Sequence, residues 1–260
     1  MEIIIRPSSL EGSLIAARIV DRTVREKPHA VLGFATGNTP LPLYEELARL
    51  HRDKGLDFSS VVAFNLDEYI GLPTDHPASF HHYMRRNLFD HLNIRPEHIH
   101  IPDGQAENIP ASCRKYESEI RSAGGIDIQI LGIGTNGHIG FNEPSSSLAS
   151  RTRIKTLTPQ TRRDNAAEFG GVDNVPCHVI TMGLGTILES RMCLLLAFGA
   201  KKAQAVARMI EGPVTASLPA SVLQLHPRTV IILDREAAAD LERVEYYEWT
   251  DTQKPDWQEY

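Results

Sequence analysis

The sequence predicts an α/β fold: a three-layer α/β/α sandwich built around a mostly parallel, Rossmann-like sheet. Short β-branched runs alternate with longer amphipathic runs along the whole chain. Several short runs, such as TVIILD at 229–234, are apolar on both faces, which is typical of strands covered by helices on both sides. No linker or change of composition divides the 260 residues, so we expect a single domain spanning residues 1–260.

Each element follows from its own run of residues. Ser8 or Ser9 is a good N-cap for the first helix, and Gly55 is expected to end the second. The segment 144–176 is irregular, with one short strand and two glycines, and we expect it to form a mobile lid. Further helices are predicted at 78–92, 110–125, 200–212 and from Arg235, and strands at 2–6, 30–35, 61–66, 98–102, 126–134, 178–183, 192–198 and 229–234.

Composition excludes several classes of protein. The net charge of −6 argues against a nucleic-acid partner, which requires a basic face. The chain has no apolar run of the ~18 residues that cross a membrane, and MEIIIRPSSL does not resemble a signal peptide. Its three widely spaced cysteines predict a reducing, cytoplasmic location without a disulfide framework.

The loop GIGTNGHIGFNEP (residues 132–144, the glycine loop) contains the pattern G-x-G-x-x-G after an apolar run. That pattern is typical of dinucleotide binding, but Pro144 follows too soon for the expected helix. Residues 144–163 also contain no acid to bind the ribose, although an NADP enzyme could use Arg153. A tight turn at the carboxyl edge of the sheet fits the glycines better, and an NADP oxidoreductase stays open as an alternative.

Two pairs of titratable residues lie where parallel strands are predicted to end. His138 and Glu143 of the glycine loop form a candidate pair for proton transfer, since a nearby carboxylate fixes the tautomer of a histidine. Asp67 and Glu68 follow the strand VVAFNL in the motif FNLDEYIGL. A loop histidine hydrogen-bonded to backbone is the alternative for the first pair, and solvated loop acids are the alternative for the second. Both motifs are expected at the same edge of one sheet, where catalytic groups are usually found.

Two further segments suggest an anionic ligand. The turn ATGNTP (35–40) offers backbone N–H groups, hydroxyls and a helix start to an anion, and it is not a Walker A motif. The basic segment 144–163 contains five cations and no acid, which favours a phosphorylated ligand. The histidine pairs His81–His82 and His98–His100 lack the spacing of metal ligands, so no metal is expected. The five cations are Arg151, Arg153, Lys155, Arg162 and Arg163.

Taken together, these motifs resemble those of the glucosamine-6-phosphate deaminases, the hexosamine-phosphate isomerase/deaminase family. The resemblance runs nearly end to end and rests on ATGNTP, FNLDEYIGL, GTNGHIGFNEP, SSLASRTRIKTLT and LQLHP. The related 6-phosphogluconolactonases share the glycine–histidine loop, but they continue without FNEP. A lactonase-like hydrolase and a non-catalytic sugar-phosphate sensor are the alternatives.

The resemblance implies conversion of glucosamine 6-phosphate to fructose 6-phosphate and ammonia without a metal or cofactor. It assigns the opening of the sugar ring to His138 with Asn136 and Glu143. It assigns removal of the C2 proton to Asp67. The residues that it implies for the substrate phosphate are Thr36, Gly37, Asn38, Thr39 and Lys202.

Three positions depart from the family pattern. Asn136 stands where some members have Asp, and Asn38 replaces a small residue. Ala167 stands where many members have a phosphate-binding arginine, so Lys202 is expected to act with less help.

The resemblance also implies regulation. In allosteric members an N-acetylated hexosamine 6-phosphate binds between subunits, and the matching residues here are Ser146, Arg153 and Lys155. A homo-oligomer is therefore expected, with a hexamer as one candidate.

Overall fold

The computed structural model describes residues 1–255 and 258, and it has the α/β architecture that the sequence predicts. Within this part of the chain, seven strands form one parallel sheet in the order first, tenth, ninth, sixth, second, third, fifth. In chain order the strands are β1 (Glu2–Arg6), β2 (Val31–Phe34), β3 (Val62–Asn65), β4 (Asp67–Tyr69), β5 (Ile99–His100), β6 (Ile128–Leu131), β7 (Arg153–Thr156), β8 (His178–Thr181), β9 (Met192–Ala197) and β10 (Thr229–Asp234).

Helices cover both faces of this sheet. Successive residues of a strand enter different cores: Ile3 and Ile5 of β1 belong to one apolar cluster, and Ile4 belongs to the other. This alternation is the pattern expected of a three-layer sandwich. None of the described helices is both long and apolar enough to cross a membrane. The helices are α1 (Ser9–Glu26), α2 (Leu41–Lys54), α3 (Phe80–Asn87), α4 (Ile109–Ser122), α5 (Pro159–Asp164), α6 (Leu184–Leu188), α7 (Ala203–Ile210) and α8 (Val244–Thr252).

Local signals at the helix ends act as predicted. Ser8 caps α1, with its hydroxyl accepting a hydrogen bond from the backbone N–H of Glu11 at 3.2 Å. Gly55 ends α2 in the left-handed conformation, with a φ of 65°. Both are standard ways to satisfy the free backbone groups of a helix end.

A second, antiparallel sheet of three strands lies beside the central one, in the order β4-β8-β7. The sequence predicted the strand at 178–183 but not this pairing, which removes it from the central sheet. The segment 144–176 contains β7, α5 and two short 3₁₀ turns, so the predicted short strand is present. Because β7 pairs with β8, one part of this segment is fixed to the sheet.

Two helix predictions need correction. The helix expected over 78–92 ends at Asn87, and a 3₁₀ turn over Phe89–His91 follows it. The helix expected from Arg235 begins only at Val244. The cause lies in Asp234, whose carboxylate accepts from the backbone N–H groups of Ala237 and Gly199 and so stabilises a turn.

Candidate active site

Four neighbouring strands, β9, β6, β2 and β3, place the predicted site residues on the loops after their carboxyl ends. From β2 the chain extends the sheet through β3 and β5, and then returns to β6 on the other side of β2. In open α/β sheets such a reversal leaves a crevice between the two loops, and ligands bind there. The turn ATGNTP and the glycine loop flank this crevice.

Asp67, the first residue of β4, is a buried carboxylate. It is 4% exposed, and no group among the described residues donates a hydrogen bond to it. Burial, reinforced by the charge of Glu68, raises its pKa well above the ordinary value. A Cβ placed on Gly140 would lie 3.5 Å from Asp67 Oδ2, so this carboxylate faces the glycine loop. A desolvated carboxylate without donors has the basicity that proton abstraction from carbon requires.

Glu68 has a different role from that of its neighbour. Its Oε1 accepts from the backbone N–H groups of Tyr69 and Phe80, at 2.7 and 3.0 Å. Its Oε2 accepts from the backbone N–H of His81 at 3.0 Å and lies 2.8 Å from His81 Nδ1. These contacts fix the start of α3 against β4. Both oxygens of Glu68 are thus occupied by local donors, and Asp67 stays the candidate site acid at this edge.

His138, Asn136 and Glu143 form a chain of hydrogen bonds, which we call the relay. Asn136 Nδ2 donates to Glu143 Oε2 at 2.8 Å, and Asn136 Oδ1 lies 2.7 Å from His138 Nδ1. The direct distance from His138 Nδ1 to Glu143 Oε2 is 3.7 Å. The predicted histidine–carboxylate pair is thus present, but the amide of Asn136 connects its two members.

The direction of these bonds assigns the proton on the imidazole. Because Asn136 donates through its nitrogen, its oxygen faces His138 and accepts from Nδ1–H. Nε2 is then the nitrogen that can exchange a proton with a ligand. Burial lowers the pKa of His138, with the charge of Glu143 opposing and that of Lys202 adding to this effect.

Glu143 remains an anion although it is only 2% exposed. Burial raises its pKa, but the hydrogen bond from Thr161, the charge of His138 and the hydrogen bond from Asn136 outweigh burial and leave the pKa below its ordinary value. Thr158 also donates to Glu143 Oε1 through its backbone N–H at 3.3 Å. No local pattern in the sequence indicates that Thr158 and Thr161 face this carboxylate.

Glycines of the loop make room for these side chains. A Cβ on Gly134 would lie 2.2 Å from His138 Cε1, so any larger residue would displace the imidazole. Gly137 has a φ of 83°, which other residues rarely adopt. No helix begins within residues 132–144, so the glycines form a turn and do not open the helix that a dinucleotide site uses.

The turn ATGNTP leads from β2 into α2, and its backbone N–H groups at residues 37–39 donate to no group of the described residues. Gly37 has a φ of 95°, and its carbonyl faces Tyr83. Tyr83 Oη donates to this carbonyl at 2.6 Å. Tyr83 was not identified from the sequence, because nothing in the pattern around it indicates that α3 reaches this turn.

Lys202 follows β9, and its ammonium group has no acid within ion-pair distance in the described part of the chain. Burial lowers its pKa, and the charge of Asp164 opposes this effect. Its charge also acts on His138. Lys202 and the turn ATGNTP follow the carboxyl ends of β9 and β2, two strands of the same parallel sheet. A half-buried cation with no acid partner among the described residues, at the same sheet edge as free backbone N–H groups, is suited to binding a phosphate.

A family profile described as "Glucosamine-6-phosphate isomerases/6-phosphogluconolactonase" matches residues 12–232. The chain belongs to this family. The glucosamine-6-phosphate deaminase of Arthrobacter sp. (strain FB24) is 55% identical over 258 residues, 99% of each chain. That of Corynebacterium kroppenstedtii is 55% identical over 260 residues, the whole of both chains.

Solved structures of the family agree. A glucosamine-6-phosphate deaminase described as monomeric superposes with a TM-score of 0.91 at 48% identity, over 92% of this chain and all of that one. A 6-phosphogluconolactonase from Trypanosoma cruzi has a TM-score of 0.75 at 21% identity, over 93% of this chain and 97% of that one. The second likeness concerns the fold alone.

The residues that resemble an allosteric site in this family converge around residues 142–146. Arg153 Nη1 donates to Asn142 Oδ1 at 2.9 Å, and the charge of Lys155 interacts with those of Arg153 and Glu143. Ser146 is 3% exposed, and its hydroxyl has no partner among the described residues. Burial lowers the pKa of both Arg153 and Lys155.

The basic segment does not act as one cluster. Arg151 forms ion pairs with Glu117 and Glu189, both at 2.6 Å. Arg162 donates to the carbonyls of Val172 and Val175, and so connects α5 to the end of the segment 144–176. The remaining members are Arg163, which donates to Gln160, and the pair Arg153 and Lys155 described above.

Ala167, at the position where many family members have a phosphate-binding arginine, is exposed in a 3₁₀ turn. The histidine pairs have local partners: His81 contacts Glu68, and His100 stacks on Phe64 with ring centroids 4.6 Å apart. Among the described residues, no three side chains of His, Cys, Asp or Glu are grouped as a metal site would require.

Proposed function

We propose that this chain converts glucosamine 6-phosphate and water to fructose 6-phosphate and ammonia. The strongest support is that two groups suited to proton transfer lie at the same edge of the sheet. One is Asp67, a desolvated carboxylate without donors, and the other is the relay ending at His138. Aldose–ketose conversion requires both, because the ring must open before the C2 proton becomes acidic.

In the proposed mechanism, His138 Nε2 takes the proton of the sugar O1 hydroxyl and returns it to the ring oxygen. This opens the ring to the aldehyde. Asp67 then removes the C2 proton, the C2 electron pair forms a C1=C2 double bond, and O1 takes a proton from water, which gives the enolamine. The protonated Asp67 returns its proton to C1, which gives the iminium of the ketose and regenerates the carboxylate. Water adds to C2 and ammonia leaves, which gives fructose 6-phosphate.

The substrate phosphate is proposed to bind the turn of Thr36, Gly37, Asn38 and Thr39 together with Lys202. The free N–H groups of this turn and the unpaired ammonium support the assignment. With alanine at position 167, Lys202 would be the main cation for the phosphate.

The test is incubation of the purified protein with glucosamine 6-phosphate, without added nucleotide or metal, while ammonia and fructose 6-phosphate are measured. We expect equal amounts of both products. Hydrolysis of 6-phosphogluconolactone in place of deamination would favour the lactonase alternative, and binding without turnover would favour a sensor.

Assembly and location are part of the same proposal. We propose a homo-oligomer whose sigmoidal kinetics become hyperbolic with N-acetylglucosamine 6-phosphate, on the grounds of Ser146, Arg153 and Lys155. A cytoplasmic location is proposed from the cysteine spacing. Sedimentation velocity with and without the ligand tests the assembly. The similar solved deaminase is described as monomeric. A monomer here, together with hyperbolic kinetics with and without the ligand, would contradict the proposed assembly.

A further inference from the structure

The carboxylate of Glu143 is shared between two parts of the chain. Its Oε2 accepts from Asn136 of the glycine loop at 2.8 Å. Its Oε1 accepts from the hydroxyl of Thr161 and from the backbone N–H and hydroxyl of Thr158, the latter two at 3.3 and 3.2 Å. One oxygen is therefore held by the relay, and the other by α5 of the segment 144–176.

Thr161 makes the shortest of these three contacts to Glu143 Oε1. Thr158 Oγ1 already accepts from the backbone N–H of Thr161 as the N-cap of α5, and it lies 3.0 Å from Thr161 Oγ1. Thr161 is 3% exposed, and the one proton of its hydroxyl goes to Glu143. A buried carboxylate that loses such a donor is costly to keep charged and is free to turn.

We propose that Thr161 is a positioning residue for ring opening. It holds Glu143 so that Asn136 fixes the imidazole of His138, with Nε2 turned to the sugar. This inference rests on the proposed function and names a residue outside the resemblance to the family. It also makes the relay depend on the position of α5, since a displacement of that helix would release Glu143.

Three variants separate this role from a structural one. Thr161→Val removes the hydroxyl at nearly constant volume and leaves the N-cap Thr158 in place. Thr161→Ser restores the hydroxyl. Thr186→Val is the matched control, because Thr186 is 2% exposed and donates to the buried carboxylate of Glu117 at 2.6 Å, outside the site.

Turnover of glucosamine 6-phosphate gives the first measurement. For Thr161→Val we expect kcat to fall about tenfold, with KM within about twofold, and the acid limb of the pH profile to move up by about one unit. The charges that also act on the relay are Lys155, Lys202 and Asp164, which all three variants retain. Thr161→Ser should restore the limb. Equal kinetic losses in Thr161→Val and Thr186→Val, or an unmoved limb, would overturn the proposal.

A second measurement does not require turnover. The titration of the Glu143 carboxyl carbon can be followed by NMR in the substrate-free protein, with Glu143→Gln to assign the signal. We expect it to move to higher pH in Thr161→Val only. An unchanged titration overturns the link even if the enzyme deaminates. A wild-type protein without deaminase activity would refute the proposed function, while this titration still tests the contact.

Discussion

Asp67 and Glu143, two carboxylates of the same site, are almost equally buried, at 4% and 2% exposure, yet their pKa values move in opposite directions. None of the described residues donates a hydrogen bond to Asp67, so burial, reinforced by the charge of Glu68, raises its pKa. Glu143 is held by Asn136, Thr158 and Thr161, which together with the charge of His138 outweigh burial. The supply of donors, and not the depth of burial, separates the two.

This difference fits two chemical tasks at one pH. A carboxylate kept without donors is ready to accept a proton, whereas a carboxylate surrounded by donors stays an anion and orients its partners. Sites that combine acid and base steps separate their titratable groups in this way. Substitution of each carboxylate and of its partners tests that division.

The largest effect is expected from Asp67→Asn. Asparagine keeps the shape but cannot accept the C2 proton, so kcat should fall by roughly 10²–10⁴. Binding of substrate should be retained, as measured by calorimetry. Asp127→Asn is the control, because Asp127 is a buried carboxylate paired with Lys27 and Arg191 at the other edge of the sheet. The Asp127→Asn enzyme should keep the turnover rate of the wild type. Near-normal turnover of Asp67→Asn would mean that another group is the base.

A smaller but more selective effect is expected from His138→Gln. The variant should fail on the cyclic sugar, because no group replaces the imidazole in ring opening. It should still exchange the C2 proton of the open-chain fraction with solvent, since Asp67 is untouched. NMR in deuterated water measures this exchange beside product formation. His98→Gln, whose imidazole contacts Val61 O at the opposite edge, is the control. Equal loss of both activities would refute the separate roles.

Features of the fold that depend on residues close in sequence could be predicted, and features that depend on distant residues could not. The strands, the caps at Ser8 and Gly55, and the position of Asp67 and His138 at strand ends depend on local patterns, and these were predicted. The pairing of β8 with β4 and β7 was not, because it depends on which distant strand offers a free edge.

The same distinction applies to the residues of the candidate site. Its reacting groups belong to recognisable motifs, but the groups that tune them do not. Thr158 and Thr161 lie in the segment that the sequence indicated as irregular, and only the fold brings them to Glu143. In the same way, Glu68 looked like a second site acid until its donors were known, and those come from α3.

A third prediction leaves both carboxylates intact. Tyr83→Phe removes the hydroxyl that holds the Gly37 carbonyl, so the turn at 36–39 should present its N–H groups less well to phosphate. One neutral hydrogen bond is worth about 0.5–1.5 kcal/mol, which corresponds to a rise in KM of roughly two- to tenfold. We expect kcat to change little.

Tyr247→Phe is the matched control for that variant. Tyr247 Oη donates to Glu211 at 3.0 Å, away from the crevice, and its loss should not affect KM. An unchanged KM in Tyr83→Phe, or a fall in kcat alone, would contradict a role for Tyr83 at the phosphate end.

The last prediction concerns stability, where the two carboxylates should respond with opposite signs. The folded-state pKa of Asp67 is raised, so its contribution to stability is present below the unfolded value of about 3.9 and is lost as pH rises through the folded value. That of Glu143 is lowered, so its contribution is present above about 4.3 and is lost as pH falls. At pH 7, Asp67→Asn should therefore stabilise the protein, by about 0.5–2 kcal/mol.

Glu143→Gln should destabilise the protein by about 1–3 kcal/mol, because an amide nitrogen then faces a donor, either Nδ2 of Asn136 or the hydroxyl of Thr161. Urea unfolding of both variants at pH 7 and pH 5 measures this. The difference between Asp67→Asn and the wild type should be smaller at pH 5 than at pH 7, whereas that of Glu143→Gln should stay nearly the same, because its contribution is lost only below about pH 4.3. If both substitutions shifted stability in the same direction at pH 7, donors would not be what separates the two carboxylates.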